Sequence, residues 1–205
     1  MFELKTLRAL CGALALLAFA SSAHAYDLSR AYPAEEKTER GFVHFQGALW
    51  APAFGSFSTY HQLSLDFGVE VGFRVLSLRG EHNFYVVVGG EFSPQTLDPD
   101  ATGGTYDTNL VLGYAGVRYI PSALCTYGGT GCLFFELRFG LTFEEAEDGS
   151  GHDGPSGDFT VLPGVGYRFR FGAFQLGVRA DASFTHEYEE TLGWVALGGF
   201  LGFGW

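Results

Sequence analysis

Three groups of residues have the types that could do chemistry. Ser183, His186 and Glu187 lie close in sequence and offer a hydroxyl, an imidazole and a carboxylate, the set used in nucleophilic hydrolysis. His152, Asp153 and Asp158 could share a divalent cation, since hard cations take carboxylate oxygens. Their acidic, glycine-rich segment also reads as ordinary solvated turn chemistry, and that reading is carried forward. The third group is spread along the chain: Asp66, Glu70, Glu91, Glu136, Arg138, Arg168, Arg170, Arg179 and Asp181. These charges interrupt otherwise apolar segments, so they need partners or water. A structural network of ion pairs is expected, with a proton or ion path as the functional alternative.

The elements that must position these residues repeat every second residue. In 62–75, Leu63, Leu65, Phe67, Val69, Val71, Phe73 and Val75 alternate with Gln62, Ser64, Asp66, Gly68, Glu70, Gly72 and Arg74. Successive strand side chains point to opposite sides, so this is a strand with one apolar and one polar face. The pattern recurs over 132–144, 159–171 and 174–185, and more weakly over about 42–52, 83–93, 106–119 and 192–205. Eight strands are expected, each long enough for a tilted membrane crossing. Gly172-Ala173 and Ser77 to Glu81 read as short hairpin turns, whereas 94–105 and 145–157 are long and rich in glycine and acid.

Composition narrows the surroundings. Lys5 and Arg8, the apolar run Ala9 to Ala20, and Ala23-His24-Ala25 form the pattern of a secretory signal, with cleavage expected after Ala25. Residues 26–40 then read as a polar lead-in to a barrel over 41–205. The only lysine after residue 25 is Lys37, far too few for a water-covered surface. The acidic balance excludes nucleic acid as a partner. Export leaves Cys125 and Cys132 in an oxidising compartment, where a disulfide between them is expected.

Alternation alone does not say which face is inside, because a lipocalin-like barrel would have the opposite sense. The polar face is small and rich in glycine and carries charges of both signs, as a narrow enclosed interior requires. Aromatics gather near the ends of the apolar face: Phe73, Phe84, Phe169, Phe171, Phe174 and Phe203 at one end, Phe92, Phe143 and Phe184 at the other. Such positions suit interfacial girdles, so the apolar face is expected to meet lipid. Pairing through the 145–157 loop is expected to bring Glu136 diagonally to Arg168. Asp66, Glu70 and Glu91 would face Arg168, Arg170 and Arg179 across the lumen.

These strands, and a last one reading Leu192 to Trp205 with apolar residues at alternate places, resemble the small OmpA/OmpW-type outer-membrane barrels. The resemblance implies an all-β, eight-stranded antiparallel up-and-down transmembrane barrel. Phe203 and Trp205 would be its insertion signal, read by the barrel-assembly machinery. Outer-membrane lipids and lipopolysaccharide would surround a monomer with no cofactor. It also raises two activities. OmpW-like passage of small apolar compounds would use Phe42, Trp50, Trp194 and Phe200 on the inward phase of strands one and eight. Lipid A deacylases of this size use a Ser and a His, but their His-x-Ser-Asn order is absent, since His186 is followed by Glu187 and Tyr188. The expectation is a non-enzymatic envelope protein of the outer membrane.

Overall fold

A computed structural model of the chain describes residues 39–55, 57–78, 81–96, 107–126, 130–146, 156–187 and 190–205. The expected signal segment with Ala25, the lead-in up to residue 38, and His152 and Asp153 lie outside these residues.

Eight strands follow in order: β1 (Gly41–Phe54), β2 (Ser64–Leu78), β3 (His82–Thr96), β4 (Asp107–Pro121), β5 (Gly131–Ala146), β6 (Ser156–Phe171), β7 (Phe174–Glu187) and β8 (Glu190–Gly204). Each pairs antiparallel with its sequence neighbour, and β1 pairs with β8, closing a barrel. The strands run further than the alternation alone marks: β3 continues to Thr96 and β5 to Ala146, into segments expected as loop. Gly172 turns the β6–β7 hairpin with a φ of 64°, a left-handed conformation that glycine adopts without a steric penalty. A one-turn helix α1 (Phe57–Tyr60) follows β1, and a 3-10 turn at Ser122–Leu124 follows β4.

Closure gives every strand a hydrogen-bonded neighbour on both sides, which a sheet in lipid requires. The seam continues past the strands, where the Arg40 and Gly41 amides donate to the Trp205 carbonyl and the Trp205 amide donates to that of Gly41. Both described chain ends therefore meet at one end of the barrel, the termini end. The opposite end carries the β1–β2, β3–β4, β5–β6 and β7–β8 connections and is the loop end.

The two faces separate as the pleat demands. On β5, Glu136 is 5% exposed while Leu137 beside it is 45% exposed. The outside is a belt of large apolar residues from all eight strands, including Phe45, Val69, Val88, Val117, Phe139, Phe159, Val178 and Leu201. An apolar patch that encircles a molecule is unsupportable in water, so this face meets hydrocarbon. Phe73, Phe169, Phe171, Phe174, Phe203 and Trp205 stand exposed toward the termini end, and Phe92 and Phe184 toward the loop end. No described helix is long and apolar enough to cross a membrane, and the crossing is made by strands.

Inside, two buried apolar clusters close the lumen. Phe42, Tyr85, Val87, Ile120, Phe134 and Phe200 pack near the termini end. Trp50, Leu110, Leu112, Leu162, Leu192 and Trp194 pack toward the loop end, together with Tyr114. The inward glycines make room for the rings. A Cβ on Gly72 would strike the Phe42 ring, and one on Gly166 would strike Phe134. Cys125 and Cys132 are joined as a disulfide, which ties the start of β5 to the end of the β4 connection.

Candidate functional site

Between the two apolar clusters lies a belt of charge, supplied by strands β2, β3, β4, β5 and β7. Arg138 donates to Glu91 at 3.0 Å and to Asp181 at 2.5 Å. Arg179 donates to Glu91 at 2.5 Å, to Asp181 at 2.6 Å and to the Gln46 side-chain oxygen. Arg118 donates to Glu70 and Glu136 and lies 3.3 Å from Nδ1 of His44. Tyr114 donates to Glu70 at 3.3 Å. Charge-assisted bonds of this kind are strong, and the fork of the guanidinium suits two carboxylates at once.

Arg118 and Arg138 also lie against rings. The Arg118 guanidinium carbon sits 4.4 Å from the Phe42 ring centre and 4.3 Å from that of Phe134, and Arg138 sits 4.6 Å from that of Tyr114. His44 is stacked between Phe42 and Phe200, at 4.2 and 4.4 Å, and its Nε2 is 2.9 Å from the Gln175 side-chain oxygen. The apolar plugs and the belt therefore form one packed interior. The cation–π contacts favour arginine over lysine at these positions.

All nine residues expected to carry interior charge lie on the inward phase, but the pairing differs from expectation. Glu136 does not meet Arg168. It stands opposite Gly164 and binds Arg118, while Arg168 stands opposite Cys132. The register is displaced by two residues from the expected one. That displacement preserves the face of every side chain and moves its partner along the strand. Arg168 donates to both carboxylate oxygens of Glu39 at 2.9 Å, and Arg170 approaches Glu39 at 3.7 Å. Neither reaches Asp66, Glu70 or Glu91, so of the three arginines expected opposite those acids only Arg179 meets any of them.

Arg118, His44 and Glu39 carry charge or can carry it in the network but are not marked by the alternation of faces, and the uncharged Gln46, Tyr114 and Gln175 join them. Arg118 and His44 share their inward phase with large apolar residues, Leu110, Leu112 and Tyr114 on β4 and Phe42 and Trp50 on β1, so no polar face marks them. Glu39 precedes β1 in what reads as polar lead-in, yet it is buried in the mouth of the barrel. A signal for Arg118 did exist: it is in phase with Leu112 and Tyr114, a lone positive charge in an apolar run of sequence.

The candidate hydrolytic set is not assembled. Ser183 points into the lumen and is 1% exposed, whereas His186, of opposite phase, is exposed on the outside. The four aromatics of the apolar route divide between the clusters, Trp50 and Trp194 in one, Phe42 and Phe200 in the other, with the charged belt between them. Among the described residues no group of three metal-ligating side chains forms. Asp158 stands opposite Thr142 on the β5–β6 ladder. Outside the spanning strands, His61 is buried edge-on to Trp50, their ring centres 5.9 Å apart. Burial pushes the His61 imidazole down to about 4, so it is neutral at pH 7.

No family model matches the chain. No curated protein matches it either. Among solved structures, the chain is similar to Neisserial surface protein A, with a TM-score of 0.61, 10% identity, and 80% of this chain and 97% of that one covered. The attachment invasion locus protein of Yersinia pestis, solved with a heparin analogue, gives a TM-score of 0.49 at 10% identity, covering 82% of this chain and all of that one. The outer-membrane enzyme PagL gives 0.45 at 14% identity, covering 78% and 97%. At such identities the likeness is one of fold, and the fold is that of the small eight-stranded outer-membrane barrels.

Proposed function

We propose that this chain is a non-enzymatic, structural protein of the outer membrane, whose lumen is filled and whose role is exercised by its lipid-facing belt and external loops. The filled lumen is what supports this reading. Two apolar clusters and the ion-paired belt occupy successive levels of it, and eight strands leave an interior that side chains can fill. Solute passage would need the belt to part and both clusters to separate. The termini end faces the periplasm, as short turns do in bacterial barrels, and the longer connections face outward. Lipid and lipopolysaccharide surround a monomer, and Phe203 on the last strand and Trp205 just after it, both exposed, are read by the barrel-assembly machinery. The test is reconstitution in a planar bilayer. Wild-type protein is expected to give no stepwise current, and a steady current blocked by small apolar solutes would replace this reading with one of transport.

A further inference from the structure

Toward the loop end two neighbouring strands separate. β2 stays paired with β1 as far as Ser64, and β3 stays paired with β4 as far as Thr96, but the ladder between β2 and β3 stops at Phe67 and Phe92. Beyond that pair, side chains take the place of the ladder. Ser93 Oγ donates to the Leu65 carbonyl at 3.0 Å, and the Gln95 amide donates to Ser64 Oγ at 2.6 Å. Within sheets proline is confined to edges and irregular places, and Pro94 stands on the β3 side of this split.

The split opens a cleft with a volume of about 610 Å³, inside the span of roughly 300–1,000 Å³ usual for small-molecule sites. Leu63, Leu65 and Pro94 are its apolar part, and the amides of Gln62, Gln95 and Asn109 with the hydroxyls of Ser64 and Thr108 are its polar part. No residue of the lining is charged. Much of its hydrogen-bonding capacity is idle. Gln62 and Asn109 make no side-chain hydrogen bond among the described residues. Gln95 holds Ser64 and Ser93 with one end of its amide, and the other end is buried without a partner. We propose that this cleft binds a hexose unit of an uncharged sugar, with the three amides bonded to its hydroxyls and Leu65 and Pro94 against its C–H face.

The chemistry of the lining selects this ligand by elimination. An anion would find no basic group in the cleft, and a cation would find no carboxylate. A wholly apolar molecule would shut water away from the amides and leave them unbonded, which is costly. An amide both donates and accepts, and so does a hydroxyl, so a molecule dense in hydroxyls meets every group present. The position agrees with the chemistry. Phe67 and Phe92 are exposed on the outer face at the foot of the cleft, which therefore opens at the loop-end rim of the apolar belt. A sugar carried on a membrane lipid reaches that level, and so does a soluble one; both offer the same hydroxyls. The site rests on the cleft itself and not on which side of the membrane the loop end faces.

The test uses the refolded barrel in an amine-oxide detergent, which carries no sugar of its own. Methyl glucoside, methyl galactoside and maltose are titrated in, with sodium glucuronate as the charged counterpart. The side-chain amide NMR signals of Gln62 and Asn109 in the wild type should shift saturably with a neutral sugar. Gln62→Ala made together with Asn109→Ala should weaken binding by about tenfold, the loss expected for two hydrogen bonds. Glu81→Gln, on the exposed β2–β3 turn at the other end of the barrel, should leave it unchanged. A second series in phosphatidylcholine nanodiscs, with and without a glucosyl diacylglycerol, separates the sources. A response to the lipid-linked sugar alone assigns the site to a membrane glycolipid, and a response to the free sugars assigns it to soluble glycans. No saturable shift with any neutral sugar, free or lipid-linked, would overturn the proposal. Undiminished binding by the double variant, or tighter binding of glucuronate, would overturn it as well. None of these readouts involves conductance, so a failure here leaves the closed-lumen reading standing, and a bilayer current would leave this site standing.

Discussion

At the termini end of the lumen, rings and charges are interleaved; at the loop end, apolar side chains and hydroxyls do the closing. Near the termini, Arg118 lies between Phe42 and Phe134, His44 is stacked between Phe42 and Phe200, and Glu39 holds Arg168. Toward the loops, Trp50, Trp194, Leu162 and Leu192 pack together, and Thr142, Thr160 and Thr185 form a hydroxyl ladder with spacings of 2.6 and 2.9 Å. Ions held in a low-dielectric interior fix a single arrangement, because breaking a pair leaves an unmatched charge. Apolar contacts are less particular about partner and geometry. The same sheet thus has one end whose order depends on charge and one whose order depends on shape.

The largest expected effect tests the charged end. Arg118→Ala strands Glu70 and Glu136 together in the interior and should cost about 3–5 kcal/mol. Urea unfolding in lipid vesicles would measure it, beside Glu81→Gln, an exposed change expected to fall under about 1 kcal/mol. A neutral Arg118→Ala would mean that the belt is hydrated well enough for charge to be unimportant, and the contrast between the ends would collapse. Next in size, Glu39→Gln keeps the shape of the side chain but removes the charge that Arg168 binds. Hydrogen bonds to charged groups contribute about 1.5–3 kcal/mol, and a loss near the lower figure is expected because the mouth of the barrel lies close to water. Arg168→Gln made together with Glu39→Gln should recover part of that loss. Full additivity of the two would show that the residues do not interact.

The sequence carries some of this contrast and hides the rest. β2, β5, β6 and β7 alternate cleanly because their inward residues, Phe134 and Leu162 apart, are small, polar or charged and their outward residues mostly large and apolar. Face and fold are therefore legible at Glu70, Glu136 and Arg179. β4 is different. Leu110, Leu112, Tyr114 and Ile120 point inward while Val111 and Val117 point outward, so both phases are apolar and Arg118 has no visible face. Partners are harder still, because parity survives a shift of two residues and a long connection leaves the register open. That is why Glu136 could be placed inside but not paired. The packing of Phe42 over Gly72 joins residues on different strands and becomes visible only once the ladder is known.

The smallest effect belongs to the loop end, and it is a response to pH. His61 directly follows α1, buried against Trp50, and burial lowers its imidazole from the ordinary value near 6.5 to about 4. The folded state therefore holds fewer protons than the unfolded one between those values. Its contribution to stability is complete above about pH 6.5 and is lost as the pH falls toward about 4. At pH 5.5 the loss should be about 1 kcal/mol, since each unit of displacement is worth about 1.4 kcal/mol. Other groups titrate over the same range, so the quantity to measure is a difference: the urea midpoint of wild type minus that of His61→Gln, at pH 7.5 and at pH 5.5. Wild type should lose more on acidification than the variant does. Equal losses would mean that His61 can take up its proton without leaving its place beside Trp50, and that the loop end is open enough to hydrate a charge that its apolar packing should exclude.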